Sequence, residues 1–321
     1  MNRYARQMQL HEIGASGQTR LGSAHALVVG AGGLAATVLP QLVGAGLGRI
    51  TLVDGDDVDL HNLHRQTLFA EEDCGRPKAL AAAARLRALN ADVAIQAVPA
   101  ALTPATAPAL AQTADLVLDC ADSHAVSYML SDTCLAADTP LFSASVLQFS
   151  GYALGVCGGA PSLRAVFPDA PDTAANCTTA GVSGPSVAVV AAAQAQMAMS
   201  HLLGLSPDPL GQCVQFDLRN FRFSGFRFDS AEEPAQSFPF LARDQIRASD
   251  TIVELRDAGE APEMLHPDAR RIAPDRLRAE LAPADGRLVL CCATGLRAWR
   301  AAEVITPHWP GAIALAAATA S

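Results

Sequence analysis

Short apolar blocks alternate with longer segments of helical spacing through the first half of the chain. HALVVG (25–30), RITLVD (49–54), VAIQAV (93–98) and DLVLD (115–119) have the length and β-branched content of strands. Between and before them, residues 2–22, 34–46, 77–90 and 104–113 predict helices. This alternation predicts an α/β fold with a Rossmann-like, mostly parallel sheet and helices on both faces. Strands at 140–146 and 149–156 follow too closely for a crossover, so one edge of the sheet is expected to be antiparallel.

Residues 158–180 are rich in Gly, Pro, Asp, Asn and Thr and predict a long loop. A helix at 182–203 and two amphipathic strands near 212–217 and 220–227 follow. The acidic, Pro-bearing stretch that begins DSAEEPAQSFP marks a linker at 229–242. It divides residues 1–228 from a smaller αβ unit at 243–321, each expected to have its own core.

Composition narrows the class. Half of the 321 residues are hydrophobic and 17% are charged, the balance of a folded chain. A net charge of −9 argues against a nucleic-acid surface. The N-terminus, MNRYARQMQLHEIG, is too polar for a signal peptide. The apolar run from Val182 to Leu205 is broken by Ser183, Pro185, Gln194, Gln196 and His201, so it predicts a buried helix and no membrane span. A cytoplasmic location is expected, with the eight cysteines as thiols.

The candidate chemistry begins at Gly30-Ala31-Gly32-Gly33-Leu34-Ala35, which fits G-x-G-x-x-G/A after a strand and before a helix. Such a loop presents backbone N–H groups to phosphate. Asp54, at the end of the next strand, stands where a ribose hydroxyl would bind. Taken alone this fits a nicotinamide-dependent oxidoreductase. Asp56, His61, Asn62, Arg65 and Gln66 follow, with Lys78 at a helix start. Hydride transfer has no need of two cations over the phosphates, whereas adenylylation does. Asp122 is placed to bind Mg²⁺, beside Ser123. Read singly, Arg65 and Lys78 are surface cations and Asp122 is a helix N-cap.

The constellation resembles the E1-like activating enzymes of the ThiF, MoeB and HesA type. The matching pieces are RYARQ (3–7), GAGGLA (30–35), DGDDVDLHNLHRQTLF (54–69), GRPK (75–78), DCADS (119–123) and NCTTAGVSGP (176–185), within residues 2–225. The resemblance implies a homodimer that uses ATP and Mg²⁺ to adenylylate the C-terminal Gly-Gly of a ubiquitin-like sulfur-carrier protein. It implies Gly30, Gly32 and Gly33 at the phosphates and Asp54 at the ribose. Asp56, Asn62, Arg65 and Lys78 would surround the triphosphate, and Asp122 would hold Mg²⁺. Arg6 would reach the ATP of the neighbouring subunit, and Cys177 could bond covalently to the carrier. Ala35 and Ser123 replace a usual glycine and asparagine. Many members hold structural zinc with two C-x-x-C pairs, here expected near 162–165 and 224–232. The chain has no C-x-x-C, so no zinc is expected.

In the smaller unit LVLCCATGLRAWRAA (288–302) predicts a strand, a tight loop and a helix. Cys292-Ala293-Thr294-Gly295-Leu296-Arg297 fits C-x-x-G-x-R, which resembles the active loop of rhodanese domains. The resemblance implies a sulfurtransferase that carries sulfur as a Cys292 persulfide, supplied by a donor such as a cysteine desulfurase. Loop N–H groups and Arg297 would stabilise the anion. Glu254 and His266 stand at the matching upstream points, and Cys291 is expected to point into the core. Two readings stay open beside this one: a decayed scaffold that binds a carrier protein, and an E1-like enzyme acting on a free peptide.

Overall fold

The computed structural model describes residues 3–169 and 181–318. Strands β1 (His25–Val29), β2 (Arg49–Val53), β3 (Ala94–Val98), β4 (Leu116–Asp119) and β5 (Leu141–Leu147) pair in parallel. β6 (Ser150–Val156), β7 (Gln212–Asp217) and β8 (Arg222–Arg227) extend the sheet antiparallel. The order is β3-β2-β1-β4-β5-β6-β7-β8. It reverses between β1 and β4, the switch point where such sheets open a crevice at their carboxyl ends.

The helices are α1 (Gly14–Ser23), α2 (Gly33–Ala45), α3 (Lys78–Leu89), α4 (Ala107–Ala111), α5 (His124–Ala137), α6 (Leu163–Val166) and α7 (Gly184–Leu202). Alternation along each strand sorts the packing. Val28, Leu52 and Leu118 face α2, α3 and α7, whereas Leu27, Val29 and Val117 face α4 and α5. Among the described residues no helix is long and apolar enough to cross a membrane.

Two expectations are corrected. Residues 2–22 do not form one helix: a 3₁₀ turn at Gln7–Gln9 precedes α1, and Gly14 takes φ +54 at the break. β8 is not amphipathic. As the outer strand it is exposed at every position, and its Phe223 meets only the neighbouring strand's Phe216 edge to face, with centroids 5.8 Å apart. Each unit keeps an apolar cluster of its own, and the two share a third.

The smaller unit has a parallel sheet of β9 (Thr251–Glu254), β10 (Arg270–Arg271), β11 (Leu288–Cys292) and β12 (Ile313–Ala317), in the order β10-β9-β11-β12. It carries α8 (Leu277–Glu280) and α9 (Leu296–Ile305). One apolar cluster runs from β1 and α5 of the larger unit into β11, β12 and α9. At its centre Tyr128 of α5 meets Trp299 of α9 edge to face, with centroids 4.4 Å apart.

Candidate active site

The glycine loop leaves β1 beside the carboxyl ends of β2 and β4. Gly30 holds φ +93, and a β-carbon there would fall 2.6 Å from the Cys120 carbonyl oxygen, so only glycine fits. Asp54 ties the loop to β2. Its Oδ2 accepts the Ala31 N–H at 2.6 Å and its Oδ1 the Asp56 N–H at 2.8 Å. Burial raises the Asp54 pKa, against these hydrogen bonds and the Lys78 charge. Gly32 is extended and no side chain caps α2, so the positive end of this helix opens on the crevice.

The turn at 60–66 lies over that opening. Arg65 Cγ would sit 3.3 Å from a β-carbon at Gly33, and Gln66 Nε2 3.7 Å from one at Gly32. Arg65 Nη2 donates to Asn62 Oδ1 at 3.1 Å, and Nη1 lies 2.8 Å from His64 Nε2. Gly184, which opens α7, packs under this turn; a β-carbon would meet the His64 carbonyl at 2.7 Å. Lys78 opens α3 and pairs with Asp56 at 2.9 Å. Asp122 and Ser123 follow β4 at the α5 N-terminus, and Asp122 is exposed.

Two atoms of this crevice lack partners. Gln66 Oε1 and the Ser123 hydroxyl are buried without a hydrogen bond. Buried polar atoms are normally satisfied, so an orphaned pair beside an uncapped helix marks a place for a polar ligand. Among the described residues no three His, Cys, Asp or Glu side chains cluster as a metal site. Asp122 alone suits Mg²⁺, which is commonly held by one or two carboxylates plus substrate phosphates.

Three expected residues stand apart. His61 is exposed and pairs with Asp59 at 2.7 Å. Arg6 lies in the segment that docks Tyr4 on Gly46, at the far end of α2 from the glycine loop. That helix separates them by about 18 Å at 1.5 Å per residue. Cys177 lies outside the described residues.

Sequence reading missed Asp119, fully buried under the crevice at the end of β4. Burial pushes its carboxyl up to about 6, and the neighbouring Asp122 charge adds to the rise. Ser143 donates to it at 2.8 Å. Gln194 of α7 fixes the strand ends, donating to the carbonyls of Asp119 at 2.7 Å and Phe142 at 2.9 Å. A polar residue on the apolar α7 pattern was the available signal.

Residues 4–237 match the ThiF family. The chain belongs to that family. It is 42% identical over 218 residues to the adenylyltransferase and sulfurtransferase MOCS3 of Sus scrofa, a match covering 67% of this chain and 48% of the relative. The chain thus spans about half the length of that relative. It is 40% identical over 227 residues to a sulfur carrier protein adenylyltransferase of Thermus thermophilus, covering 68% of this chain and 83% of that one. Among solved structures, Escherichia coli MccB with MccA-N7isoAsn has a TM-score of 0.63 at 20% identity, over 74% of each chain, a likeness of fold.

The smaller unit of this ThiF-family chain begins beyond the matched residues. Cys292 ends β11, and its Sγ accepts N–H groups from Gly295 at 3.1 Å and Ala298 at 3.4 Å, the start of α9. Arg297 pairs with Glu260 at 2.7 Å, and this hydrogen bond raises the pKa of the arginine. Glu254 is buried and grips Arg256 through both oxygens, at 2.8 and 2.6 Å. Its burial opposes ionisation, but the Arg256 and backbone hydrogen bonds outweigh it and hold the carboxyl low. His266 lies mostly buried and turns to Asp268, whose N–H donates to its Nδ1 at 3.2 Å. Cys291 points to the opposite face, where burial pushes its thiol up to about 12.

Proposed function

We propose that this chain adenylylates the C-terminal glycine of a ubiquitin-like sulfur-carrier protein and then delivers sulfur to it. The observation that carries this reading is the crevice at β1, β2 and β4. There an uncapped helix start, Arg65, Lys78 and two unpartnered buried atoms meet. A dinucleotide site would leave the two cations without a task.

ATP lies with its phosphates over Gly30, Gly32 and Gly33 and its ribose at Asp54. An oxygen of the carrier carboxylate attacks the α-phosphorus, and pyrophosphate leaves with the bridging electron pair. Arg65 and Lys78 offset the charge that develops on the phosphates, a contribution of positioning and electrostatics. Asp122 would hold Mg²⁺, which would supply further charge neutralisation at the phosphates. Asn62 and Asp56 orient Arg65 and Lys78, and Arg6 of the partner subunit completes the site in a homodimer.

The smaller unit acts as a rhodanese-like sulfurtransferase. The outer sulfur of a Cys292 persulfide, loaded from a donor such as a cysteine desulfurase, attacks the adenylate carbonyl and AMP leaves. A second thiolate, Cys177, attacks the Cys292 sulfur of the resulting acyl disulfide. The carrier thiocarboxylate departs, and an external thiol reduces the Cys177–Cys292 disulfide.

Intact-mass spectrometry of a carrier ending in Gly-Gly, with ATP and a persulfide donor, tests the sequence of steps. The carrier gains AMP and then exchanges one oxygen for sulfur, and Cys292→Ser stops at the first product. A carrier that stays unmodified overturns the reading.

A further inference from the structure

Cys292 is built for reactivity but shut from solvent, with 1% of its surface exposed. What covers it comes from outside its own loop. Gly295 holds φ +87, and a β-carbon there would fall 2.5 Å from the Phe240 ring and 3.3 Å from the Ala125 methyl of α5. Phe240 thus seals the loop on one side and the larger unit seals it on the other, three residues along the chain from Asp122.

Phe240 belongs to the segment that joins the two units. Leu315 of β12 donates its N–H to the Pro239 carbonyl at 2.9 Å and accepts the Leu241 N–H at 2.8 Å. Arg164 anchors the start of the segment. It donates to the Phe238 carbonyl at 3.2 Å and forks onto Asp132 at 2.6 and 2.9 Å. Its guanidinium lies 5.1 Å from the Tyr128 ring and 5.0 Å from the Trp299 ring. Upstream, Glu233 accepts the Ser162 N–H at 2.7 Å and the Ser162 hydroxyl at 2.5 Å. These contacts stand where the zinc-binding cysteine pairs of related enzymes were expected, at 162–165 and just beyond 224–232. A hydrogen-bonded clasp at that point fixes the joining segment.

We propose that residues 238–242 are a strap that closes over the Cys292 loop, and that its release admits the sulfur donor. The proposal rests on the reading of Cys292 as a sulfur carrier. In loading, the Cys292 thiolate attacks the outer sulfur of a donor persulfide, the donor S–S bond breaks, and the donor leaves as thiolate. Attack needs a straight approach to Sγ, which the closed strap denies. Two backbone hydrogen bonds to Leu315 tie the strap to β12 and Phe238 and Phe240 bury their rings in the shared cluster, so its release is a local opening that exposes these rings while the rest of the fold stays intact.

The test is pulsed alkylation of the full chain with iodoacetamide, read cysteine by cysteine by peptide mass spectrometry. Exposed Cys74 is the reference, and buried Cys134 and Cys213 report wider unfolding. In the wild type Cys292 reacts slower than Cys74 by about a hundredfold or more, the mark of local opening. Phe240→Ala speeds Cys292 by about tenfold or more while Cys134 and Cys213 stay protected and ATP–pyrophosphate exchange is unchanged. Should Phe240→Ala expose Cys134 and Cys213, Arg164→Lys, which loosens the anchor and spares the plug, is held to the same criteria. Wild-type Cys292 reacting as fast as Cys74 overturns the strap, as does an unchanged Cys292 rate in a folded variant. Alkylation reads access alone, so a gated Cys292 that transfers no sulfur would refute only its role as carrier.

Discussion

Lys78 Nζ lies 2.9 Å from Asp56 Oδ2, with its own side chain 6% exposed and that of Asp56 75% exposed. The buried end of this pair is the cation, and it faces the crevice. Lys78→Met keeps the buried stem and removes the charge, and it leaves no buried carboxylate unpaired. We expect exchange of pyrophosphate into ATP to fall by about 10²–10³-fold, the scale of losing one preorganised charge at a transition state. Thermal unfolding should shift by only a few degrees, within about 1 kcal/mol. Exchange within about twofold of wild type would remove Lys78 from the chemistry.

The glycines of the loop separate folding from binding. Gly30→Ala forces a side chain into left-handed backbone, a cost on the order of 1–2 kcal/mol before the overlap with Cys120 is counted. It should lower the melting temperature markedly. Gly32 has ordinary extended backbone and 3.7 Å of clearance to Gln66. Gly32→Ala should therefore melt near wild type while ATP binding, followed by calorimetry, weakens. Equal destabilisation by both would contradict this division.

Asp119 makes stability depend on pH. The folded chain holds its proton to about pH 6, whereas the unfolded chain releases it near 3.8. Unfolding releases that proton between these values, so the group's contribution to stability falls as pH rises through the window. Asp119→Asn removes the dependence. Relative to wild type the variant should gain up to about 3 kcal/mol between pH 4 and pH 7 in denaturant melts. Parallel curves would show that Asp119 ionises normally.

Arg6 lies too far from its own glycine loop to serve it, so the role proposed for it requires a second chain. Arg6→Ala and Asp122→Ala should each be inactive alone. Mixed and re-equilibrated, they form heterodimers with one intact site, restoring about a quarter of wild-type exchange. Failure of the mixture, with subunit exchange verified by mass spectrometry, would place Arg6 outside the site.

Much of this architecture was legible in the sequence. The apolar blocks at 25–30, 49–54, 93–98 and 115–119 became β1 to β4, because buried parallel strands leave nearly continuous hydrophobic runs. The glycine spacing located the tight turn after β1, because Gly30 holds a positive φ with no room for a side chain. What stayed hidden depends on distant partners. Asp119 reads as an ordinary strand end until Ser143 and Gln194 close over it. Phe240 and Arg164 read as a linker apolar and a loop cation, and only the packing of α9 on α5 joins them at Cys292. The turn that ends the 2–22 helix prediction rests on one left-handed glycine, Gly14, in a segment of helical spacing.

Adenylylation is read out by ATP–pyrophosphate exchange with sulfur carriers ending in Gly-Gly. Asp122 is exposed, so Asp122→Ala removes the proposed Mg²⁺ ligand without disturbing the core. Exchange should require the carrier and be abolished by this substitution in a protein that still melts like wild type. A folded chain that binds no ATP, or exchange that persists unchanged in Asp122→Ala, would contradict this reading.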